Sequence, residues 1–290
     1  MSAESPEITA PDDVLTVLND PSFIVPPVPD GDSPVGIRWL RATVSRFSTE
    51  EVHPRRRSLA VGEIAKIDTA PLHRAAFERT RSLLDTCAGP IDVMAEVARV
   101  IPVELLAEAM GLPTGLSVPV NTVARAYHPT ANASPAADQA VAELVDACGG
   151  ITDETTAARI GLLVQACDAT AGLVGNAVFD MLQGNLADSG DSIVATTLRV
   201  NPSVRITRRQ AAMTTRVGDV DVVADTVVAL DLTGEGLAFG AGPRKCPGSE
   251  QAAALAAGIV DAVRGRKLVQ RDVKYEPSAN LRVPVSLLVT

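Results

Sequence analysis

The stretch "TDETTAARIGLLVQACDATAGLVGNAVFDMLQG", residues 152–184, constrains the fold more than any other part of this 290-residue chain. A cap at Thr152 or Asp153 opens a helical pattern that runs to Gly184, about 45 Å at 1.5 Å per residue. The pattern is apolar on most sides, and a helix that is apolar all round has to be enclosed by other elements. The rest of the chain must therefore wrap a central rod.

Most of what surrounds it also reads as helix. "APDDVLTVLND" is a short helix with Asp12 or Asp13 near its start and Val14, Leu15 and Leu18 on one face. Residues 37–60 form a basic helical region containing "HPRRR", and 65–85 form another helix. "IDVMAEVARVIPVELLAEAMG" reads as a helix pair that stops at Gly111, with Pro113 after it. "PSFIVPPVPDGDSP" and residues 112–135 read as loops. Residues 204–231 alternate like short strands, and "LRVPVSLLVT" closes the chain as a strand. The expected class is mostly α with a small β portion. Residues 1–12 are expected to be a flexible lead-in and 13–290 a single domain.

Charge narrows the partners. A net charge of −9 and only 3% aromatic residues argue against nucleic acid, whose binding draws on a basic face and stacking surface. A small molecule or another protein fits better. Cys87, Cys148, Cys167 and Cys246 are scattered with no C-x-x-C pair, and the start carries no signal-peptide pattern, so the expected setting is the reducing cytoplasm. No continuous apolar run reaches the roughly 18 residues that would span a bilayer, and the expectation is a soluble protein.

"LAFGAGPRKCPGSEQAAALA", residues 237–256, places Cys246 between a glycine-rich turn and an alanine-rich helix. Gly240 and Gly242 allow a tight turn and close approach to a flat ligand. Pro247 suits the first position of a helix whose Ala252, Leu255, Ala256, Ile259, Val260 and Val263 form an apolar stripe. A cysteine just ahead of a helix N-terminus, with Arg244 nearby, sits where a thiolate is favoured. The residues alone leave three readings: a metal ligand, a nucleophile lacking a histidine close in sequence, or a core thiol.

Phe239-Gly240-x-Gly242-x-Arg244-x-Cys246-x-Gly248 resembles the haem-ligand signature of the cytochrome P450 family, F-G-x-G-x-[HR]-x-C-x-G, at every fixed position. The resemblance implies a truncated cytochrome P450-like fold and a haem b whose axial thiolate comes from Cys246, with Phe239 packed on its proximal face and Arg244 on a propionate. It extends along the chain. "HPRRR" supplies His53 and Arg57 in the family's H-x-x-x-R spacing, and Arg209 matches a third propionate-binding residue. Residues 91–113 are similar to the D and E helices, and 162–178 to the central I helix.

The chain also departs from the family pattern. The E-x-x-R glutamate is replaced by Thr196, three residues before Arg199, and the meander before the cysteine loop is absent. Most of the F and G helices that roof the pocket are expected to be missing. On the I helix, Asp168 stands at the acid and Ala169 at the threonine. Thr170 lies one residue further, about 100° around the helix. Asp168 and Thr170 are the catalytic candidates that the resemblance implies.

The function implied is a haem-thiolate oxidoreductase acting on a small organic molecule, as a monooxygenase or with peroxide. A ferredoxin-type redox partner would dock on Arg55, Arg56, Arg264, Arg266 and Lys267. The alternative is a non-catalytic relative that stabilises a partner enzyme. A second copy of the chain, in a homo-oligomer, could supply the missing roof.

Overall fold

The structure, a computed structural model, describes residues 5–28, 33–129, 131–184 and 188–290. Residues 1–4 of the expected lead-in and 29–32 of the proline-rich loop lie outside these. In chain order the elements are β1 (Glu7–Ile8), α1 (Pro11–Asn19), β2 (Phe23–Ile24), α2 (Gly36–Thr43), α3 (His53–Ile64), α4 (Thr69–Thr86), β3 (Ile91–Asp92), α5 (Ile101–Ala109), α6 (Ser117–Ala126), α7 (Pro135–Ala147), α8 (Glu154–Gly184), α9 (Gly190–Val200), β4 (Ile206–Ala211), β5 (Thr215–Val217), β6 (Val220–Val222), β7 (Val227–Asp231), α10 (Ser249–Val263) and β8 (Leu288–Val289). The class is mostly α with a small β portion.

The central rod forms as α8, with Asp153 accepting a hydrogen bond from the Thr156 N–H at 2.8 Å as its cap. Its Leu163, Leu173, Val174 and Met181 are fully buried in one large cluster with Leu40 of α2, Leu144 of α7 and Leu255 and Ile259 of α10. Each such leucine contributes about 1.5–3 kcal/mol by leaving water. By length and composition α8 could cross a membrane, but 67% of its apolar window is buried against the rest of the protein.

A second, smaller cluster lies under a four-stranded sheet of order β1-β7-β4-β2, in which β1 runs parallel to β7 and the other pairs are antiparallel. Val14, Val17 and Leu18 of α1 pack there against Phe23, Val228 and Leu230. Leu15, expected on that face, is 39% exposed, because the i, i+3, i+4 stripe runs through 14, 17 and 18. Glu7 and Ile8, read as lead-in, pair with Ala229 and Leu230.

Two expectations about helices are corrected. Residues 112–135 are not all loop, since α6 occupies 117–126 and packs with α7 and α8. Pro119 does not break this helix, because it sits in the first turn, where its missing N–H costs nothing. The helix is started from a distance: the Glu104 carboxylate, 8% exposed, accepts from the N–H groups of Gly115 and Ser117, both at 2.7 Å. Between α5 and α8 the chain thus forms two helices, α6 and α7. The second correction concerns Pro247, which precedes rather than opens α10; the helix begins at Ser249 after Gly248.

Candidate haem-thiolate site

Where the helical cluster meets the sheet cluster, a cavity of about 600 Å³ opens between α8 and the cysteine loop. Its walls come from α3, α8, β4, the loop after β2, the α6–α7 connection and residues 238–248. That volume lies within the usual range for a buried cofactor or ligand.

The floor is built by backbone geometry. Gly240 and Gly242 both have φ of +68°, and a Cβ at Gly242 would sit 2.5 Å from the Leu18 carbonyl oxygen. Only glycine fits there. The Cys246 N–H donates to the Phe239 carbonyl at 2.9 Å, closing the loop. The thiol borders the cavity, and the Gly248 N–H favours its thiolate form. Burial pushes the Cys246 thiol up, while that N–H and the charges of Arg57, Arg46 and Lys245 pull it down. A half-buried thiol ringed by positive charge is prepared to be a thiolate once a cation sits against it.

Of the signature, Gly242 shapes the loop without bordering the cavity, and the other residues gather on its rim. Phe239, Gly240, Arg244, Gly248, His53, Arg57 and Arg209 all border the cavity, although 156 residues separate His53 from Arg209 in sequence. The Arg57 guanidinium donates to the Lys245 carbonyl, tying α3 to the loop. Arg244 reaches the carbonyls of Ser45 and Ser48 at 3.3 and 2.7 Å and pairs with Glu50 at 2.7 Å. Arg209, 7% exposed, has only the Arg208 carbonyl at 2.8 Å and the Thr207 hydroxyl at 3.4 Å, with no carboxylate partner among the described residues. Burial, then Arg244 and Arg46, lowers its pKa from 12.5 to about 10. Burial and then Arg244, with Arg57 and Arg209 in the same direction, lowers His53 to about 4.

Buried cations that repel one another are costly unless an anion joins them. The donor set therefore fits a haem: a thiol on the floor, a cavity of the right size, and a positive rim for two propionates.

On the opposite wall α8 presents Leu162, Ala166, Ala169, Thr170 and Leu173. Thr170 belongs to this stripe because it lies one turn beyond Ala166, so the shift past Ala169 does not remove it from the cavity. Asp168 is elsewhere. Its carboxylate is held by Arg99 at 2.5 Å, Arg99 also pairs with Glu276 at 2.6 Å, and Asp168 does not border the cavity. The structure thus separates the two residues expected to work together. Gln165, which the sequence reading did not single out, is the other polar α8 residue on the wall.

The overall path of the chain agrees with solved proteins. The cytochrome P450 enzyme CxnD, for C–S bond formation in chuangxinmycin biosynthesis, superposes with a TM-score of 0.78 at 16% identity, over 99% of this chain and 89% of that one. The chain has the cytochrome P450 fold. P450BioI, in complex with hexadec-9Z-enoic acid ligated acyl carrier protein, matches it with a TM-score of 0.77 at 18% identity, over 96% and 90%. The tirandamycin C-bound P450 monooxygenase TamI gives 0.75 at 18%, over 97% and 88%. No family model matches the chain, and no curated protein matches it in sequence.

Thr196 and Arg199 lie on α9, with Arg199 exposed. Four of the five residues of the expected basic dock are ion-paired. Arg55 and Arg56 both pair with Glu154, Arg264 with Asp261 and Arg266 with Asp85.

Proposed function

We propose that the protein is a haem-thiolate oxidoreductase that oxidises a small organic molecule. The observation that carries this reading is the buried, carboxylate-free Arg209 converging with Arg57, Arg244 and His53 on a cavity floored by Cys246. Bound there, a haem b would supply an iron centre able to activate an oxidant under the electron push of a thiolate. Cys246 would hold the metal, with the Gly248 N–H steadying the sulfur. Arg57, Arg209 and Arg244 would bind and orient the propionates through charge-assisted hydrogen bonds. Phe239 and the α8 stripe would exclude water from either side, and the Thr170 hydroxyl would hold a proton on the substrate side.

Among the described residues the cavity wall contains no carboxylate, so α8 has no acid there to relay protons. Peroxide, which arrives carrying its electrons and protons, demands less of such a wall than dioxygen does; within the monooxygenase class we therefore favour peroxide-driven turnover. The four free cysteines suit the cytoplasmic setting we propose. A redox partner would have to dock on a face where most of the basic residues are already paired. The partner-stabilising alternative gains nothing from a retained cavity with this rim.

The test is a spectrum. The protein is loaded with haem, reduced and exposed to carbon monoxide; a strongly red-shifted Soret band, lost in Cys246→Ala, is expected. Failure of the wild type to take up haem would sink the proposal.

A further inference from the structure

A second cavity, of about 180 Å³, lies against the first. Glu7 of β1, Arg205, Ile206 of β4, Asp231 of β7 and residues 278–281 of the C-terminal segment line it. Ile206 and Asn280 border both cavities and so form the partition between them. On the haem side the neighbouring wall is apolar, with Val204, Leu232, Leu198 and Leu173. The second cavity is charged. Glu7, Asp231 and Arg205 make no ion pair among the described residues, and Asp231 accepts the Thr233 N–H at 2.8 Å. Unpaired charges are stable only while hydrated, so this space, smaller than the usual site for an organic ligand, stays wet.

A line of polar groups leads from the second cavity to α8. Val204 and Leu281 face each other in an antiparallel bridge, flanked by the Arg205 N–H donating to the Asn280 carbonyl at 2.9 Å and the Arg282 N–H donating to the Ser203 carbonyl at 2.7 Å. Alternation along the two segments puts Arg205, Asn280 and Ser203 on one face. Ser203 borders the haem cavity, is 5% exposed, and donates its hydroxyl to the Ala169 carbonyl of α8 at 2.7 Å. Gly172 makes room for it, because a Cβ there would lie 2.8 Å from the Ser203 Cβ. With its proton engaged, the Ser203 hydroxyl has lone pairs left to accept a hydrogen bond from the cavity.

We infer that the second cavity is the inlet for the oxidant: neutral, hydrogen-bonding molecules of the size of water and hydrogen peroxide pass between Ile206 and Asn280 and reach α8 beside Ser203. A peroxide crossing the leucine and valine wall would shed its hydrogen bonds, whereas a handover from Asn280 to Ser203 replaces them. Two carboxylates against one guanidinium give the mouth a net negative charge, which disfavours anions. Asn280 and Ile206 are thus specificity-determining residues for the small co-reactant.

The inference rests on the haem reading, with peroxide as the oxidant. Its test follows ligand association with the haem-loaded protein at the Soret band, using cyanide, which is neutral hydrogen cyanide at pH 7, against carbon monoxide on the reduced protein. Ala279→Trp, at an exposed residue that borders the second cavity alone, and Asn280→Leu, which removes one hydrogen bond from the passage, should each slow cyanide by about 10-fold and carbon monoxide by less than about 2-fold. Glu7→Gln combined with Asp231→Asn should speed azide, an anion, several-fold at low ionic strength and leave cyanide unchanged. Cyanide at the wild-type rate in both Ala279→Trp and Asn280→Leu, carbon monoxide slowed as much as cyanide, or azide indifferent to loss of the two carboxylates overturns the inference and leaves the haem reading standing. Failure of the same preparation to take up haem overturns both.

Discussion

Replacing Arg209 with methionine should move the haem-free and haem-loaded proteins in opposite directions. In the haem-free fold Arg209 is 7% exposed and its pKa is pulled from 12.5 to about 10 by burial, Arg244 and Arg46. At neutral pH the group remains charged, so the full shift acts against folding, about 3 kcal/mol at 1.36 kcal/mol per unit. Methionine has a similar length and no charge. It forfeits the hydrogen bond to the Arg208 carbonyl, with the weaker one to the Thr207 hydroxyl, about 1.5 kcal/mol or more for a charged donor. The net is a gain of at most about 1.5 kcal/mol, or roughly 2–3 °C in thermal midpoint for a chain of this size. The haem-loaded protein loses instead a charge-assisted hydrogen bond to a propionate, worth about 1.5–3 kcal/mol, so haem affinity should fall by roughly 10- to 100-fold. Thermal unfolding of the haem-free protein and haem transfer to a competing apoprotein measure the two effects. If haem-free Arg209→Met melts below the wild type, Arg209 is part of the scaffold rather than a site awaiting an anion, and the reasoning fails.

Further outcomes follow from the same geometry. His53 titrates near 6.5 in the unfolded chain and at about 4 in the haem-free fold, so the unfolded state takes the proton first as pH falls from 6.5 toward 4. Stability should drop over that window by at most about 3 kcal/mol. Urea unfolding across the window should show this slope flattened in His53→Gln and blunted by bound haem, whose propionates raise the His53 pKa. Gly242→Ala forces a side chain into φ +68° with its Cβ 2.5 Å from the Leu18 carbonyl, and should cost about 2 kcal/mol or more by chemical denaturation. Asp168→Asn breaks the Arg99 clamp and should lower stability by about 1–3 kcal/mol. Because Asp168 lies off the cavity, the haem spectrum and the pH profile of turnover should stay as in the wild type; a changed profile would return Asp168 to the chemistry.

The difference between Asp168 and Thr170 shows how far local pattern carries. A helical period states that residues one turn apart share a face, which puts Thr170 with Ala166. It does not state which face meets the cavity, and that was settled by Arg99, 69 residues away, taking Asp168 to the other side. Likewise α6 escaped notice because its start is stabilised by Glu104 on a neighbouring helix rather than by a capping residue of its own.

The sequence by itself determined the central rod, the glycine turn that presents Cys246 and the amphipathic stripe of the helix behind it. These depend on residues within a few turns of one another, where periodicity, φ preference and capping act locally. The tertiary structure alone decided what surrounds the sulfur. His53, Arg57, Arg209 and Arg244 come from three separate segments, and only packing of the helical cluster against the sheet brings their charges onto one rim. The excess of cations in that cavity is also a property of the assembled wall. On the open chain each arginine is a solvated side chain with no field to share; in the fold Arg209 is buried among them with no carboxylate partner among the described residues, and an anion there offsets the cost.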